Sequence, residues 1–395
     1  MSQTTALRTA VPATRTPWFA LLTLAFAVFA TVTVEMIPAG LLPAMSAEFG
    51  VSASAIGQLV SLWALTIIVA SLPVVRLTAR VDRRTLIVVA LAVMAVANAL
   101  TAMAPTYEIA LASRVGAAVA HGAFWSVVMV YATSLVAPSA SGRTVAVVSA
   151  GASGATVAGI PLGTVVGQVA DWRIVFAGLA LSLAVVAIVI HRRLPASPAI
   201  APESSGRRLD RSFRPVLAAA IACTLIAAAS FTLFTYISPY LTDAAGLPSS
   251  WIGPLLLGFG VAGIGGLVIA AFTADRWPVA SLVVMTALFA AALAVLGLMP
   301  RTTPAGVAAL LLWGLAIGGL PALLQARLLG VASPALRATA SALMVVFFNG
   351  GIAIGAVLGG VFDDASALVA AAFAAAALGA LAVGAVVASR LLAGR

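Results

Sequence analysis

Residues 18–42 read WFALLTLAFAVFATVTVEMIPAGLL, and Glu35 is the only charge in the run. An α-helix needs about 20 apolar residues to cross a hydrocarbon core of about 30 Å, so this segment is long enough to span a bilayer. It follows Arg8 and Arg15, but a cleaved signal peptide has a shorter apolar core, so a retained first span is expected. Further apolar runs lie at 53–73, 85–104, 107–135, 145–167, 173–190, 216–241, 251–273, 278–299, 304–325, 338–360 and 366–389. In lipid these must be helices, because an open strand edge would leave backbone groups without partners. The expected fold is an all-α membrane protein of about twelve transmembrane helices.

Composition points the same way. Of 395 residues, 63% are hydrophobic and 8% charged, too apolar for the water-facing surface of a soluble globule. The net charge of +10 is scattered between apolar runs, with no aromatic-interleaved basic patch, so nucleic acid is not an expected partner. Cys223 is the only cysteine, which rules out a disulfide framework within one chain. Two histidines, one cysteine and dispersed carboxylates offer no metal-ligand spacing. No P-loop pattern is present, so an ATP-driven pump would need a separate ATPase partner, and no cofactor is expected.

The charges report topology instead. The sequence has no lysine, and an N-terminus in the cytoplasm puts 18 arginines on that side, against Arg173 and Arg301 outside and Arg114 within a span. Such asymmetry fits an even number of spans with both termini cytoplasmic. The polar stretch 191–214 carries six arginines and reads as a cytoplasmic linker. The expected organisation is a tail at 1–17, a six-helix bundle at 18–190, the linker at 191–214 and a second six-helix bundle at 215–390. The halves echo each other at an offset of 193, which takes Asp82-Arg83 onto Asp275-Arg276 and Gly167 onto Gly360. Parallel repeats with a midplane site have this plan.

Four features could carry function. Counting back from Leu42 at 1.5 Å per residue, Glu35 lies about 10 Å below the outer boundary. A carboxylate there is costly unless paired, hydrated or neutralised by a proton, so it is either half of a fixed ion pair or a proton-exchanging group. Arg114 is the only embedded base, seven residues from Tyr107 and so about 10 Å deep as well. His121 follows two turns later on the same face and Trp125 one turn beyond, making His121 a titratable candidate or a neutral histidine bonded between helices. Gly151, Gly154, Gly159, Pro161, Gly163 and Gly167 in the fifth span read first as close helix packing. Phe231, Phe234, Tyr236, Tyr240 and Trp313 are either cavity walls or interface anchors.

These residues give the chain a resemblance to the major facilitator superfamily, in its twelve-span drug:proton antiporter branch. Within that branch it most resembles the bacterial sugar efflux and chloramphenicol-resistance transporters. Val34 to Pro43 resembles the first-span acidic motif, Ser113-Arg114-Val115-Gly116 the fourth-span arginine motif, and Ala120 to Ser126 the histidine motif of sugar efflux members. Gly159-Ile160-Pro161-Leu162-Gly163 is similar to the antiporter motif of span 5. Asp171-Trp172-Arg173, Tyr236-Ile237-Ser238-Pro239 and Phe348-Asn349-Gly350-Gly351 match as well. The gating loop departs from the family pattern, with Ala79 at the usual aspartate, while Ala274-Asp275-Arg276 keeps that part in the second half.

The resemblance implies two six-helix bundles and proton-coupled export by alternating access. The implied substrates are sugars, chloramphenicol-like drugs or nucleosides, and the implied setting is the bacterial cytoplasmic membrane, as a monomer. It implies proton coupling at Glu35, His121 and Arg114, and a substrate cavity with Trp125, Phe231, Tyr236, Tyr240, Trp313 and Asn349. Gating and packing fall to Arg83, Arg84, Gly159, Pro161, Gly163, Asp275 and Arg276. The alternatives are an uncoupled facilitator of a small polar solute, and a membrane enzyme, for which no clustered nucleophile is found. The arginine distribution makes a first prediction: a cysteine introduced at position 205 is labelled by an impermeant thiol reagent only after cells are opened. Labelling in intact cells would overturn the even span count.

Overall fold

The computed structural model describes residues 17–78, 80–137, 140–197, 211–301, 303–333 and 336–393. The tail at 1–16 and linker residues 198–210 lie outside the described residues. Twelve helices among the described residues are long and apolar enough to cross a membrane. They are α1 (Trp18–Phe49), α2 (Ala53–Thr78), α3 (Arg83–Ala102), α4 (Tyr107–Ser134), α5 (Ser141–Gly154, continued as Ile160–Val169), α6 (Trp172–Arg193), α7 (Phe213–Phe234), α8 (Ile252–Thr273), α9 (Pro278–Leu298), α10 (Thr303–Val331), α11 (Arg337–Asp364) and α12 (Leu368–Ala393).

Each expected run is helical with bounds that shift by a few residues, and the largest shift and the breaks lie at prolines. A proline lacks an N–H and leaves the carbonyl four residues earlier without its helical donor. The sequence reading stops the first span at Leu42, yet α1 passes through Pro38 and Pro43 to Phe49, where Gly50 takes a left-handed φ of 65° and its N–H closes on the Ser46 carbonyl. In α5 a π-helical turn, Ala155–Gly159, precedes Pro161. After Thr235 and Tyr236, α7 resumes as Ile237–Pro239 and a π turn, Tyr240–Ala244.

Packing repeats with a shift of six helices. In the first half α3 lies on α4 and α6, α1 on α5, and α2 on α4; in the second α9 lies on α10 and α12, α7 on α11, and α8 on α10. Glycines build one of these pairs in both halves. A Cβ at Gly151, Gly159, Gly163 or Gly167 of α5 would strike Ala25, Thr33, Ile37 and Leu41 of α1 in turn, and one at Gly351, Gly355 or Gly359 of α11 would strike the Thr224, Ala228 and Thr232 carbonyls of α7. Both ladders have a period of four, the spacing that keeps small residues on one helix face and lets two backbones touch.

The polar ends are stitched separately. Where α1, α3 and α6 meet, Arg173 bonds Glu48 Oε1 at 2.7 Å and donates to the Ala102 and Ala104 carbonyls, while the Trp172 indole N–H donates to Glu48 Oε2. At the other end, Asp82 caps α3 by accepting the Thr85 N–H at 2.9 Å and also accepts the Ser197 N–H at 2.8 Å. Desolvation opposes the charge of Asp82, but these N–H groups, the Thr85 hydroxyl and nearby Arg84 outweigh it and hold the carboxyl below its usual range. Tyr131 donates to the Pro195 carbonyl and Arg84 to that of Leu194, so residues 194–197 are fastened to the first half.

The ladders predict a sharp contrast between glycines. A Cβ at Gly355 would lie 2.5 Å from the Ala228 carbonyl oxygen and 2.9 Å from the Thr232 nitrogen, whereas one at Gly384 meets nothing within 4 Å. Gly355→Ala is expected to lose about 1–3 kcal/mol of stability through overpacking. Gly384→Ala should be neutral or gain up to about 1 kcal/mol. Unfolding of the purified protein in detergent measures both.

Candidate functional site

The site begins with a carbonyl. Pro38 removes the donor that the Val34 oxygen would have in an unbroken helix, and in a hydrocarbon setting an unpartnered carbonyl is expensive. Arg114 of α4 supplies the replacement, with Nη1 2.8 Å from the Val34 oxygen and Nη2 3.1 Å from that of Glu35. Its guanidinium lies 4.1 Å from the ring centroid of Trp63 in α2. Arginine has the planar fork and aromatic-stacking face this task needs. Arg114 thus binds three helices of the first half together as a fixed, buried cation.

Glu35 meets His121, with His121 Nε2 3.4 Å from Glu35 Oε2. Because α1 runs on to Phe49, Glu35 lies fourteen residues, about 21 Å, from that end rather than about 10 Å. His121 is also fourteen residues from the start of α4 at that same end, so acid and histidine share a level near mid-helix, and Arg114 sits at half that depth. The side chains are 13% and 4% exposed. The histidine ring stands edge-on to Trp63 at 5.2 Å and tilted to Trp125 at 6.1 Å. Its Nδ1 has no partner among the described residues. Arg114 is within electrostatic reach of both Glu35 and His121. Glu35, Arg114, His121 and Trp125 are therefore one cluster.

The second-half candidates divide. Phe231 and Trp313 join Phe234 and Phe259 in a chain of ring contacts at 5.2–6.2 Å, with the Trp313 N–H toward the Ser230 hydroxyl at 3.3 Å. Asn349 donates to the Val345 carbonyl, and its Oδ1 has no partner among the described residues. Tyr240 donates to the Leu296 carbonyl of α9 at 2.7 Å. Of the gating candidates, Arg83 and Arg84 hold residues 194–197, the first through its backbone N–H. Gly159 and Gly163 belong to the α1–α5 ladder, with Pro161 directly after the π turn. Asp275 and Arg276 are exposed.

Tyr236 stands where the halves meet. Its hydroxyl reaches the Ala356 carbonyl at 3.2 Å, its ring lies against Gly359 and Gly360, and its tip fills the space a Cβ would need at Gly57 of α2. Beside it the second proline of α1 acts as the first does. Pro43 frees the Ala39 carbonyl, and Ser238 of α7 donates to it across the seam at 3.3 Å. Gly253 meets Val165, and Gly260 meets Val157 and Thr156 in the π turn of α5. These contacts run from the end where α1 stops to about mid-helix, where Gly350 approaches Ile68. Toward the end carrying the termini, Val69, Leu77, Val345 and Val346 of α2 and α11 are exposed. Trp63 and Gly57 escape a sequence reading, since nothing in their apolar or small surroundings sets them apart, and the motif that contains Ser238 gives no sign of its partner on α1.

A family model described as the Major Facilitator Superfamily matches residues 24–356. A chloramphenicol efflux pump of Mycobacterium tuberculosis strain H37Rv is 34% identical over 359 residues, covering 87% of this chain and 85% of that protein. Among solved structures, a peptide transporter POT superposes with a TM-score of 0.77 at 13% identity over 93% of this chain and 94% of that one. The nucleoside transporter NupG follows at 0.74 and 13%, covering 94% and 99%. A bacterial homolog of the human lysosomal transporter Spinster, in an inward-facing and occupied conformation, gives 0.67 at 15% identity, covering 96% of each chain. Identities this low establish a shared fold alone.

The seam makes its own prediction. Gly57→Ala places a methyl group on the Tyr236 hydroxyl, so the halves are pushed apart at that end. A cysteine at the neighbouring Ser54 is expected to react faster with a thiol reagent in the Gly57→Ala background. Adding Tyr236→Phe, which removes the colliding oxygen, should slow it again; native Cys223 is buried and does not interfere.

Proposed function

The chain belongs to the Major Facilitator Superfamily of membrane transporters, and from that premise we propose that it exports chloramphenicol-like drugs from the cytoplasm in exchange for protons. The observation that carries this reading is the contact between Glu35 and His121, two groups able to exchange a proton, held at one level inside the first half. Arg114 is committed to two backbone carbonyls and serves as a constant charge. A proton taken up at Glu35 removes the negative charge facing both His121 and Arg114, leaving the wall more positive. Release of that proton restores the pair.

Orientation follows from the arginine distribution, with both termini and the linker in the cytoplasm. The closed end of the seam is then the outer end, which suits uptake of a solute from the cytoplasmic side. Trp125, Phe231 and Asn349 supply aromatic faces and an amide suited to an aromatic, hydrogen-bonding drug, with the fully buried Trp313 packed behind them against Phe234 and Phe259. The relative named as a chloramphenicol efflux pump favours that class over sugars and nucleosides. Tyr236 is assigned to closing the outer end and Tyr240 to bracing α9.

Two variants test proton coupling. Purified wild-type protein is expected to release protons when chloramphenicol is added. Glu35→Gln keeps the shape but cannot ionise, so proton release and gradient-driven export should both vanish while drug binding remains. In His121→Ala, the pH dependence of transport should move or disappear. Equal proton release and equal export in all three proteins would demote both residues to structural roles. Export against a drug gradient at full rate in de-energised vesicles would exclude antiport.

A further inference from the structure

Helices α8 and α9 are joined by a short turn and scarcely touch each other, because both pack on α10 behind them. A groove of about 270 Å³ is left between them on the outside of the second half, at the end that carries the chain's termini. Its walls are Ile269 and Thr273 of α8, Trp277 just before α9, and Ser281 and Val284 of α9, and Leu315 of α10 lines it as well. The two hydroxyls in it are already occupied, Thr273 donating to the Ile269 carbonyl and Ser281 to that of Trp277, each at 2.8 Å. The groove therefore offers an apolar wall along about two turns of α9, or about 10 Å.

Its mouth is charged. Arg276 is exposed, with its guanidinium 5.0 Å from the ring centroid of Trp277, at the end of the groove where α8 stops and α9 begins. No carboxylate lies within ion-pair distance of Arg276 among the described residues, although exposed Asp275 precedes it in sequence. An aromatic ring and an arginine at a helix end mark the level of lipid headgroups.

We propose that this groove is a phospholipid site, taking one acyl chain between α8 and α9 and the lipid phosphate on Arg276. In a bilayer nothing else of matching shape is as abundant, and both parts of a phospholipid find their complement: methylenes the apolar wall, phosphate the guanidinium. Because α8 also forms the seam with α5 through Gly253 and Gly260, a lipid held here touches a helix that takes part in closing the halves.

Native mass spectrometry of the detergent-purified full chain, titrated with 16:0–18:1 phosphatidylglycerol, tests the proposal. Ala280→Trp fills the groove, and since displacing two buried methylenes is already worth about tenfold, apparent affinity for the first bound lipid should fall by about that factor. Arg276→Gln removes the phosphate contact and should weaken it about fivefold. Ile188→Trp, on an exposed face of α6 in the first half, should leave binding unchanged and reports any general effect of adding bulk. Affinity unaltered by Ala280→Trp, or lowered equally by Ile188→Trp, would overturn the site. Displacement of the bound lipid by chloramphenicol would overturn it too, by making the groove a drug entry path.

Discussion

A carbonyl without a donor is the constraint on which this structure turns. Water satisfies such a group at no cost on a soluble protein, but hydrocarbon cannot, so every proline placed inside a membrane helix obliges some other part of the molecule to answer it. Helix α1 carries two such prolines, and the oxygens they free receive side-chain donors from two different helices, Arg114 of α4 and Ser238 of α7. The first answer brings a guanidinium into the bundle, and the guanidinium brings Trp63 and the electrostatic surroundings of Glu35 and His121. The cluster thus rests on a defect in helix hydrogen bonding that the fold turns into a binding surface for a cation.

The repeat supplies the frame around it. Since α1 meets α5 and α7 meets α11 through glycine ladders of the same period, each half contains a pair of helices packed backbone to backbone. Contacts of that kind are stiff, because neither side has a flexible chain with which to yield. The seam between halves sets α2 along α11 and adds a tyrosine hydroxyl against a glycine, one serine bond at 3.3 Å and the backbone of the π turn against Gly260. Stiff backbone-to-backbone pairs within each half, joined along a seam where α2 lies on α11 and α8 on α5, suit two bodies that move as units.

Much of the fold was legible in the sequence, because span length and the exclusion of unpaired backbone leave few choices. The twelve runs and the packing role of the α5 glycines were readable from residue type and spacing, whereas the offset of 193 lands on Gly360, one residue beyond the Gly359 that packs on α7. The first span's end was not. Pro38, Gly40 and Pro43 carry the composition of a turn, and what keeps them helical is Arg114 and Ser238, seventy-six and two hundred residues further on. That misplaced end also shifted the depth of Glu35, so Arg114 stood in sequence terms where the structure puts His121. Trp63 was hidden for a different reason, since an aromatic residue in an apolar run has no mark to show that its face lies against a cation. Tyr236 and Tyr240 lie one turn apart in the same span, and only their different hydrogen-bond partners, on α11 and α9, tell them apart.

The two prolines of α1 differ in one further respect. Val34 and Arg114 belong to the same half, so their bond survives any rigid motion of one half against the other. Ala39 and Ser238 belong to different halves, so their bond must break whenever the seam parts at that end. Parting admits water, and water is itself a donor, so the Ala39 oxygen exchanges a serine for a solvent molecule and the net loss is small. One proline therefore makes a permanent weld and the other a catch that the solvent itself can release, and a single helix carries both.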